Sequence, residues 1–342
     1  MPDRVRVALI GAGRIGKRHA RTLAHETPQA ELVVVADAVP EAAQSVAEAV
    51  GVGRWTADAD AVISDKTIDA VVIASPTETH APYIVAAAQA GKDIFCEKPI
   101  ALDLEATDRA LDAVQAAGVR LQIGFQRRFD KGYRKAKEMI AASTLGRIEM
   151  IRDTMRDPEP APRAYIATCG GLYRDMTIHN FDCVRWLMGA EVDELYALGA
   201  AVVDPMFAEF GDIDTSVVTL RFASGGIASV DNSRRAGFGY DVRTEIFGSR
   251  GAAFVGYQRE TPVLHLTAEG VCSDHIHWFL ERFDQAYVDE LRAFVQCIVE
   301  GTPPSVTGAD GRAAMVLAYA AEASRRANRP VSPQQFAREQ QP

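Results

Sequence analysis

Short apolar runs alternate with helical patterns over the first third of the chain. Val5-Arg6-Val7-Ala8-Leu9-Ile10 stops at Gly11, and Leu32-Val33-Val34-Val35-Ala36 stops at Asp37. Residues 70–74, 93–96 and 119–125 repeat the pattern. Between these runs apolar positions return at helical spacing over residues 15–23, 41–50 and 79–90. Pro40 stands where a first-turn proline is tolerated. A further helix is capped by Asp103 and stopped by Gly118. Continuous apolar strands separated by helices predict a parallel sheet covered on both faces.

The pattern changes after about residue 125. A helix over 131–143 and a strand over 147–154 lead into the proline-rich loop 157–162, and a short helix over 178–188 is closed by Gly189. Strand patterns over 215–222 and 227–232, and over 242–247 and 252–257, flank tight Gly-containing turns and predict antiparallel hairpins. Helices over about 283–300 and 309–328 follow, and the polar tail after Pro330 is expected to fray. The fold class expected is an α/β N-terminal domain with a doubly wound parallel sheet over residues 1–124. An α+β domain with a large, mostly antiparallel open sheet follows over 125–342. Ligands of the first architecture lie at the carboxyl ends of its parallel strands.

The chain's 342 residues are long enough for two such domains without crosslinks. Its formal net charge of −9 argues against nucleic acid or an anionic membrane as partner. No apolar run approaches the roughly 18 residues that span a bilayer. The opening Met1-Pro2-Asp3-Arg4 leads directly into a strand pattern, so no signal peptide is expected. The cysteines Cys96, Cys169, Cys183, Cys272 and Cys297 are scattered, with no C-x-x-C pair. That argues against a disulfide framework or a zinc site and for reduced thiols in a cytoplasmic protein.

Gly11-Ala12-Gly13-Arg14-Ile15-Gly16 is G-x-G-x-x-G between a predicted strand and a predicted helix, the context of a Rossmann dinucleotide site. Gly11 permits the turn, Gly13 lets a pyrophosphate approach, and Gly16 lets the helix pack on the strand. The N–H groups of Arg14, Ile15 and Gly16 open that helix toward the phosphates. Asp37, about 20 residues further on, suits an adenosine ribose and repels a 2′-phosphate. No Arg follows in Ala38-Val39-Pro40, which favours NAD over NADP, with dual specificity left open. Ser75-Pro76-Thr77 follows a predicted strand and is placed near the nicotinamide ribose. His80 reads as a helix-start residue rather than a catalyst.

Glu97-Lys98-Pro99 closes another predicted strand, so Lys98 points into the cofactor crevice. Pro99 restricts Lys98 to extended backbone. Asp175, His179 and Asp182 share one helix face if the helix reaches back over Asp175, a geometry in which carboxylates orient an imidazole. With no second histidine nearby, no metal is expected there.

With the glycine loop, Glu97-Lys98-Pro99 resembles the E-K-P motif of the Gfo/Idh/MocA oxidoreductases. The segment from Gly170 to Asp182 is similar to that family's G-G-x-x-x-D-x-x-x-H-x-x-D. The likeness narrows to the inositol dehydrogenase branch at Gly124-Phe125-Gln126-Arg127-Arg128-Phe129-Asp130, where Gln126 replaces the usual Asn. It continues at Asp157–Pro162, Tyr173–His179, Asn232–Arg235 and Gly239–Asp241.

The resemblance implies an NAD-dependent dehydrogenase, of the inositol 2-dehydrogenase kind, that oxidises a ring hydroxyl of a cyclic polyol, myo-inositol at C2. Lys98, Asp175 and His179 would be catalytic, with His179 the general base, although the roles of Lys98 and His179 are exchangeable. Glu97 and Lys98 would also meet the cofactor. Arg127, Asp157, Thr177, Asp182 and Tyr240 would join the catalytic three in binding substrate. A homotetramer built through the open sheet is also implied. A different ring polyol or sugar as substrate, and a non-catalytic NAD-binding regulator, remain alternatives.

Overall fold

The computed structural model describes residues 4–256 and 258–336. The expected strand end at Tyr257 lies outside the described residues. Close Cα packing divides the chain into two compact units, one of residues up to Phe129 with Gln285–Ala313, the other of Asp130–Asp284 with residues from Ala314 onward. A single boundary after residue 124 is therefore not what the chain adopts. It leaves the first unit, builds the second, and returns.

The apolar runs of the first third become one parallel sheet. In chain order the elements are β1 (Val5–Ile10), α1 (Arg14–Arg21), β2 (Ala30–Ala36), α2 (Pro40–Ala49), β3 (Trp55–Thr56) and α3 (Ala59–Ser64). There follow β4 (Ala70–Ile73), α4 (His80–Gln89), β5 (Asp93–Glu97), α5 (Leu104–Ala117) and β6 (Leu121–Gly124). The strand order is β3-β2-β1-β4-β5-β6, every neighbouring pair parallel. All four residues of β4 are buried, as a strand covered on both faces requires. Strand order reverses between β1 and β4, and that switch point is where such sheets bind ligands. The helices start and stop where their side chains dictate. Asp103 accepts the Ala106 N–H at 2.6 Å, and Gly118 ends α5 in the left-handed region at φ +66°.

The second unit contributes α6 (Lys131–Ala141), β7 (Ile148–Arg156), α7 (Arg163–Ile166), α8 (Ile178–Met188), β8 (Val192–Ala200), α9 (Met206–Glu209), β9 (Thr215–Phe222) and β10 (Ile227–Ser233). It continues with β11 (Asp241–Gly248), β12 (Gly251–Val255), β13 (Leu264–Thr267), β14 (Gly270–Ser273) and α10 (Phe279–Arg282). The large sheet runs β12-β11-β7-β10-β9-β8. Both expected hairpins are present as antiparallel pairs, and only β7 and β10 run parallel. Along β9, Ser216, Val218, Leu220 and Phe222 are buried while Val217, Thr219 and Arg221 are exposed. Such alternation marks one packed and one open face. Leu198, Val217 and Ile227 stand on the open face, each about half exposed.

Two long helices close the chain, α11 (Asp284–Glu300) and α12 (Gly308–Ala327). Leu291, Phe294 and Val295 of α11 join the core of the first unit, where the Phe294 ring meets Phe95 edge-on at 6.0 Å. Up to Phe336, the segment after Pro330 does not fray as expected. Val331 exchanges both backbone hydrogen bonds with Leu195 at 2.9 Å, and Pro333–Phe336 forms a 3₁₀ turn. Residues 337–342 lie outside the described part. No described helix is long and apolar enough to cross a membrane.

Candidate active site

The carboxyl end of β1 turns at Gly11, whose φ is +107°, a backbone conformation that glycine tolerates and other residues rarely adopt. A Cβ on Gly11 would overlap the backbone of Ala74 after β4, and one on Gly16 would overlap the Gly11 carbonyl. At Gly13 a Cβ would meet nothing within 4 Å, so that position opens outward. No side chain caps the N-terminus of α1, leaving its positive dipole end to an anion. Arg14 and Ile15 begin this helix, Arg14 exposed and Ile15 half-buried. Asp37 braces the loop, accepting the Ala12 N–H at 2.7 Å through Oδ2 and the Val39 N–H at 2.9 Å through Oδ1. These residues fit a dinucleotide: two glycines that admit no side chain, one open glycine, a bare helix end and a carboxylate at the ribose position.

Beside it, Ser75-Pro76-Thr77 follows β4, and the Ser75 hydroxyl lies 2.6 Å from that of Thr79. His80 opens α4 and is 2% exposed. Its Nδ1 lies 2.7 Å from the Pro99 carbonyl and its Nε2 2.8 Å from the Ser75 carbonyl, tying the turn after β4 to the turn after β5. Burial pushes its pKa down, against the two carbonyls that favour the protonated ring. Lys98 follows the last residue of β5, half-buried, with a cis bond to Pro99. The Glu97 carboxylate lies 2.8 Å from His19 Nε2.

The stretch after β6 is mostly structural. Phe125 and Phe129 are core residues, and Arg128 pairs with Asp310 at 3.0 Å. Asp130 caps α6 and pairs with Arg282 at 2.8 Å. Gln126 and Arg127 lie on the 3₁₀ turn Gln126–Phe129, 3% and 2% exposed.

In the second unit the helix does reach back over Asp175. A π-helical turn, Tyr173–Thr177, runs directly into α8. Such turns are frequent at functional sites because they reset which residues share a face. Asp175, His179 and Asp182 are 7%, 8% and 1% exposed. Asp175 does not cap the helix. Its Oδ1 accepts the Tyr165 hydroxyl at 2.7 Å, and its Oδ2 pairs with Arg234 Nη1 at 2.9 Å. Arg234 also lies 3.6 Å from Asp157. Burial works against the guanidinium charge, but Asp175 and Asp157 more than offset it and hold the group charged. Burial and the Asp175 charge push the Tyr165 hydroxyl up, so it remains a donor.

Arg234 and Tyr165 are thus parts of the site that reading the residues one by one missed. Arg234 lay in a segment noted only for likeness, and Tyr165 in the stretch past Pro162 to which no element was assigned and which forms α7. Thr177 is tied into the protein itself. Fully buried, it donates from Oγ1 to Asn232 Oδ1 at 2.8 Å, within a network of Asn232, Asn180 and Asp153. Its side chain thereby ties the helix to β10. Tyr240 is 7% exposed, its ring edge-on to Phe283 at 6.4 Å.

Comparison with known proteins agrees with this anatomy. Residues 5–125 match the family model described as "Oxidoreductase family, NAD-binding Rossmann fold", and residues 133–254 match the GFO/IDH/MocA C-terminal domain. The chain is 42% identical to "Myo-inositol 2-dehydrogenase" of Thermotoga maritima over 94% of its own length and 96% of that protein's. It is 38% identical to "scyllo-inositol 2-dehydrogenase (NAD(+))" of Bacillus subtilis over 97% of each. The crystal structure of a myo-inositol dehydrogenase from Corynebacterium glutamicum superimposes with a TM-score of 0.92 at 40% identity, covering 96% of this chain and 98% of that one. With both halves matched and full-length relatives well above 30% identity, the chain belongs to the Gfo/Idh/MocA family of NAD-binding oxidoreductases.

Proposed function

We propose that this protein oxidises myo-inositol at C2 to 2-keto-myo-inositol with NAD⁺. The observation that carries the reading is His179 one helical turn beyond a buried Asp175 that Tyr165 and Arg234 hold in place. Full-length similarity to an enzyme named for myo-inositol supports the substrate.

Bound NAD⁺ supplies the hydride acceptor. Gly11, Gly13 and Gly16, with the N–H groups of Arg14 and Ile15, hold its pyrophosphate. Asp37 holds the adenosine ribose, and Ser75, Pro76, Thr77 and Glu97 line the path to the nicotinamide. Neutral His179 takes the hydroxyl proton, because an imidazole titrates near the operating pH. Asp175 fixes its orientation and stabilises the imidazolium, as the third member of a triad does. Lys98 donates to the substrate oxygen, and its charge favours the alkoxide-like transition state over the neutral alcohol. The reverse division of proton roles between Lys98 and His179 is the other form of this mechanism. Arg127, Asp157, Asp182 and Tyr240 meet the remaining hydroxyls. We place the enzyme in the cytoplasm, in inositol catabolism, as a homotetramer that covers the open sheet face bearing Leu198, Val217 and Ile227.

A panel of myo-, scyllo- and D-chiro-inositol and glucose, each with NAD⁺ or NADP⁺ and read by reduced-nicotinamide absorbance, tests the substrate. NAD⁺-dependent turnover is expected to be fastest with myo-inositol. Faster turnover of scyllo-inositol would move the specificity toward the Bacillus subtilis relative and implicate Gln126. No turnover despite cofactor binding would support the regulator reading.

Asp37→Ala tests the cofactor assignment. Losing a charge-assisted hydrogen bond costs about 1.5–3 kcal/mol, so NAD⁺ affinity should fall roughly 10–100-fold. Discrimination against NADP⁺ should relax at the same time. Titration of both cofactors checks it, and an unchanged ratio of their affinities would remove Asp37 from the ribose site.

A further inference from the structure

Behind the corner that carries Lys98, three side chains from distant parts of the first unit converge. They are His19 of α1, Glu97 at the end of β5 and Glu290 of α11. One nitrogen or carboxylate oxygen from each lies within 4.8 Å of the other two. His19 and Glu290 are fully buried. The His19 ring is held edge-on by Phe95 at 5.4 Å and Tyr287 at 6.1 Å, and its Nε2 lies 2.8 Å from Glu97 Oε1. Glu97 Oε2 faces Gly124, where a Cβ would sit only 3.0 Å away. No group donates a hydrogen bond to either carboxylate oxygen of Glu290 or to Oε1 of Gln122, although Gln122 Nε2 donates to the Glu290 main-chain carbonyl at 2.8 Å.

Two carboxylates in one dry pocket do not both ionise, because each charge loses its water and repels the other. The His19 ring settles which stays charged. Its Nδ1 has no acceptor, so its proton sits on Nε2 and is directed at Glu97. Burial, reinforced by the Glu97 charge, pushes the Glu290 carboxyl well up. A neutral acid is a donor, and Glu97 is the charged acceptor in the cluster. A divalent cation fits less well, since the 2.8 Å separation of His19 and Glu97 is that of a hydrogen bond whose N–H occupies the lone pair a metal needs.

We propose that Glu290 is a positioning residue for Lys98: it remains a neutral acid and, with His19, holds Glu97 as the cluster's one charged carboxylate, fixing the corner from which Lys98 projects. The proposal rests on the reading that Lys98 meets the substrate oxygen. The titratable groups around Glu290 are Glu97 from β5, His19 from α1 and Tyr287 from its own helix, while Gln122 from β6 is neutral. As pH rises through the Glu290 pKa the cluster gains a second negative charge, and the support of Glu97 weakens.

The test compares the full-length protein with Glu290→Gln and Glu290→Leu. Infrared spectra at neutral pH, without substrate, should show a protonated carboxyl band in the wild type that Glu290→Gln abolishes. Glu290→Leu, with no donor, should lower kcat about 10–100-fold with KM for myo-inositol changed far less, the cost of misplacing a catalytic group by about an ångström. Glu290→Gln offers an amide N–H to Glu97 and should restore most of that loss. It should also flatten the alkaline fall of the kcat–pH profile. The proposal is overturned by absence of the acid band, by stoichiometric zinc or manganese in the purified protein, or by wild-type kcat in Glu290→Leu. Failure of the wild type to oxidise myo-inositol would count against the substrate reading, and the infrared band would still decide the state of Glu290.

Discussion

His179→Ala is expected to lower kcat about 10²–10⁴-fold, the usual span for removing a positioned acid–base group. The size follows from how much structure is committed to this one ring. It sits on the first turn of α8, 8% exposed, and the π-helical turn Tyr173–Thr177 sets its register against Asp175. Asp175 is in turn fixed by a phenol and a buried guanidinium. Removing the imidazole leaves this support in place without the group it serves. NAD⁺ affinity, carried by the first unit's glycine loop, should change by less than about twofold. Stopped-flow reduction of NAD⁺ gives the rate, and equilibrium titration gives the affinity. Turnover at the wild-type rate would take His179 out of the mechanism and return the base role to Lys98.

Arg234→Met is expected to destabilise the second unit by about 3–5 kcal/mol, because breaking a buried ion pair strands its partner charges. The side chains of Arg234, Asp175 and Asp157 are 3%, 9% and 17% exposed, so water reaches the two acids poorly once the cation is gone. Methionine keeps most of the length and removes only the charge and the donors. The double variant Arg234→Met, Asp175→Asn should recover part of the loss, since removing both ends leaves fewer stranded charges. It should not recover activity if Asp175 has the proposed role of orienting His179. Denaturant unfolding measures the first effect and steady-state rates the second. A cost below about 1 kcal/mol would mean that the pair is wetter than its burial implies.

What the sequence made legible was local. The glycine loop, Asp37 and the strand ends at Ile10 and Ala36 could be read because a short apolar run, a turn residue and a helix start lie side by side. Gly189 closes α8 as expected, in the left-handed conformation at φ +67°. Strand β8 escaped because Asp193 and Glu194 interrupt its alternation, and hairpin β13–β14 because none of its residues is buried. The site was legible where residues repeat at helical spacing, as Asp175, His179 and Asp182 do. It was not legible where charge meets charge across long separations. Arg234 reaches Asp175 from just past the end of β10 and Glu290 approaches Glu97 from α11, and neither spacing carries a local signal. The same holds for the Thr177 hydroxyl. Its motif position reads as a ligand contact, and no local pattern shows that its hydroxyl donates to Asn232, 55 residues on.

The return of the chain to its first unit bears on how the protein emerges from the ribosome. Everything up to Phe129 is synthesised early, yet Leu291, Phe294 and Val295 complete that unit's core. At about 5–20 residues per second, translation from Phe129 to the end of α11 takes roughly 9–34 s. For that time the nascent sheet carries an apolar strip that its own helix has not yet reached, a natural foothold for chaperones. A gene fragment ending at residue 129 would make that transient exposure permanent, so an isolated cofactor half needs residues 285–313 spliced back on.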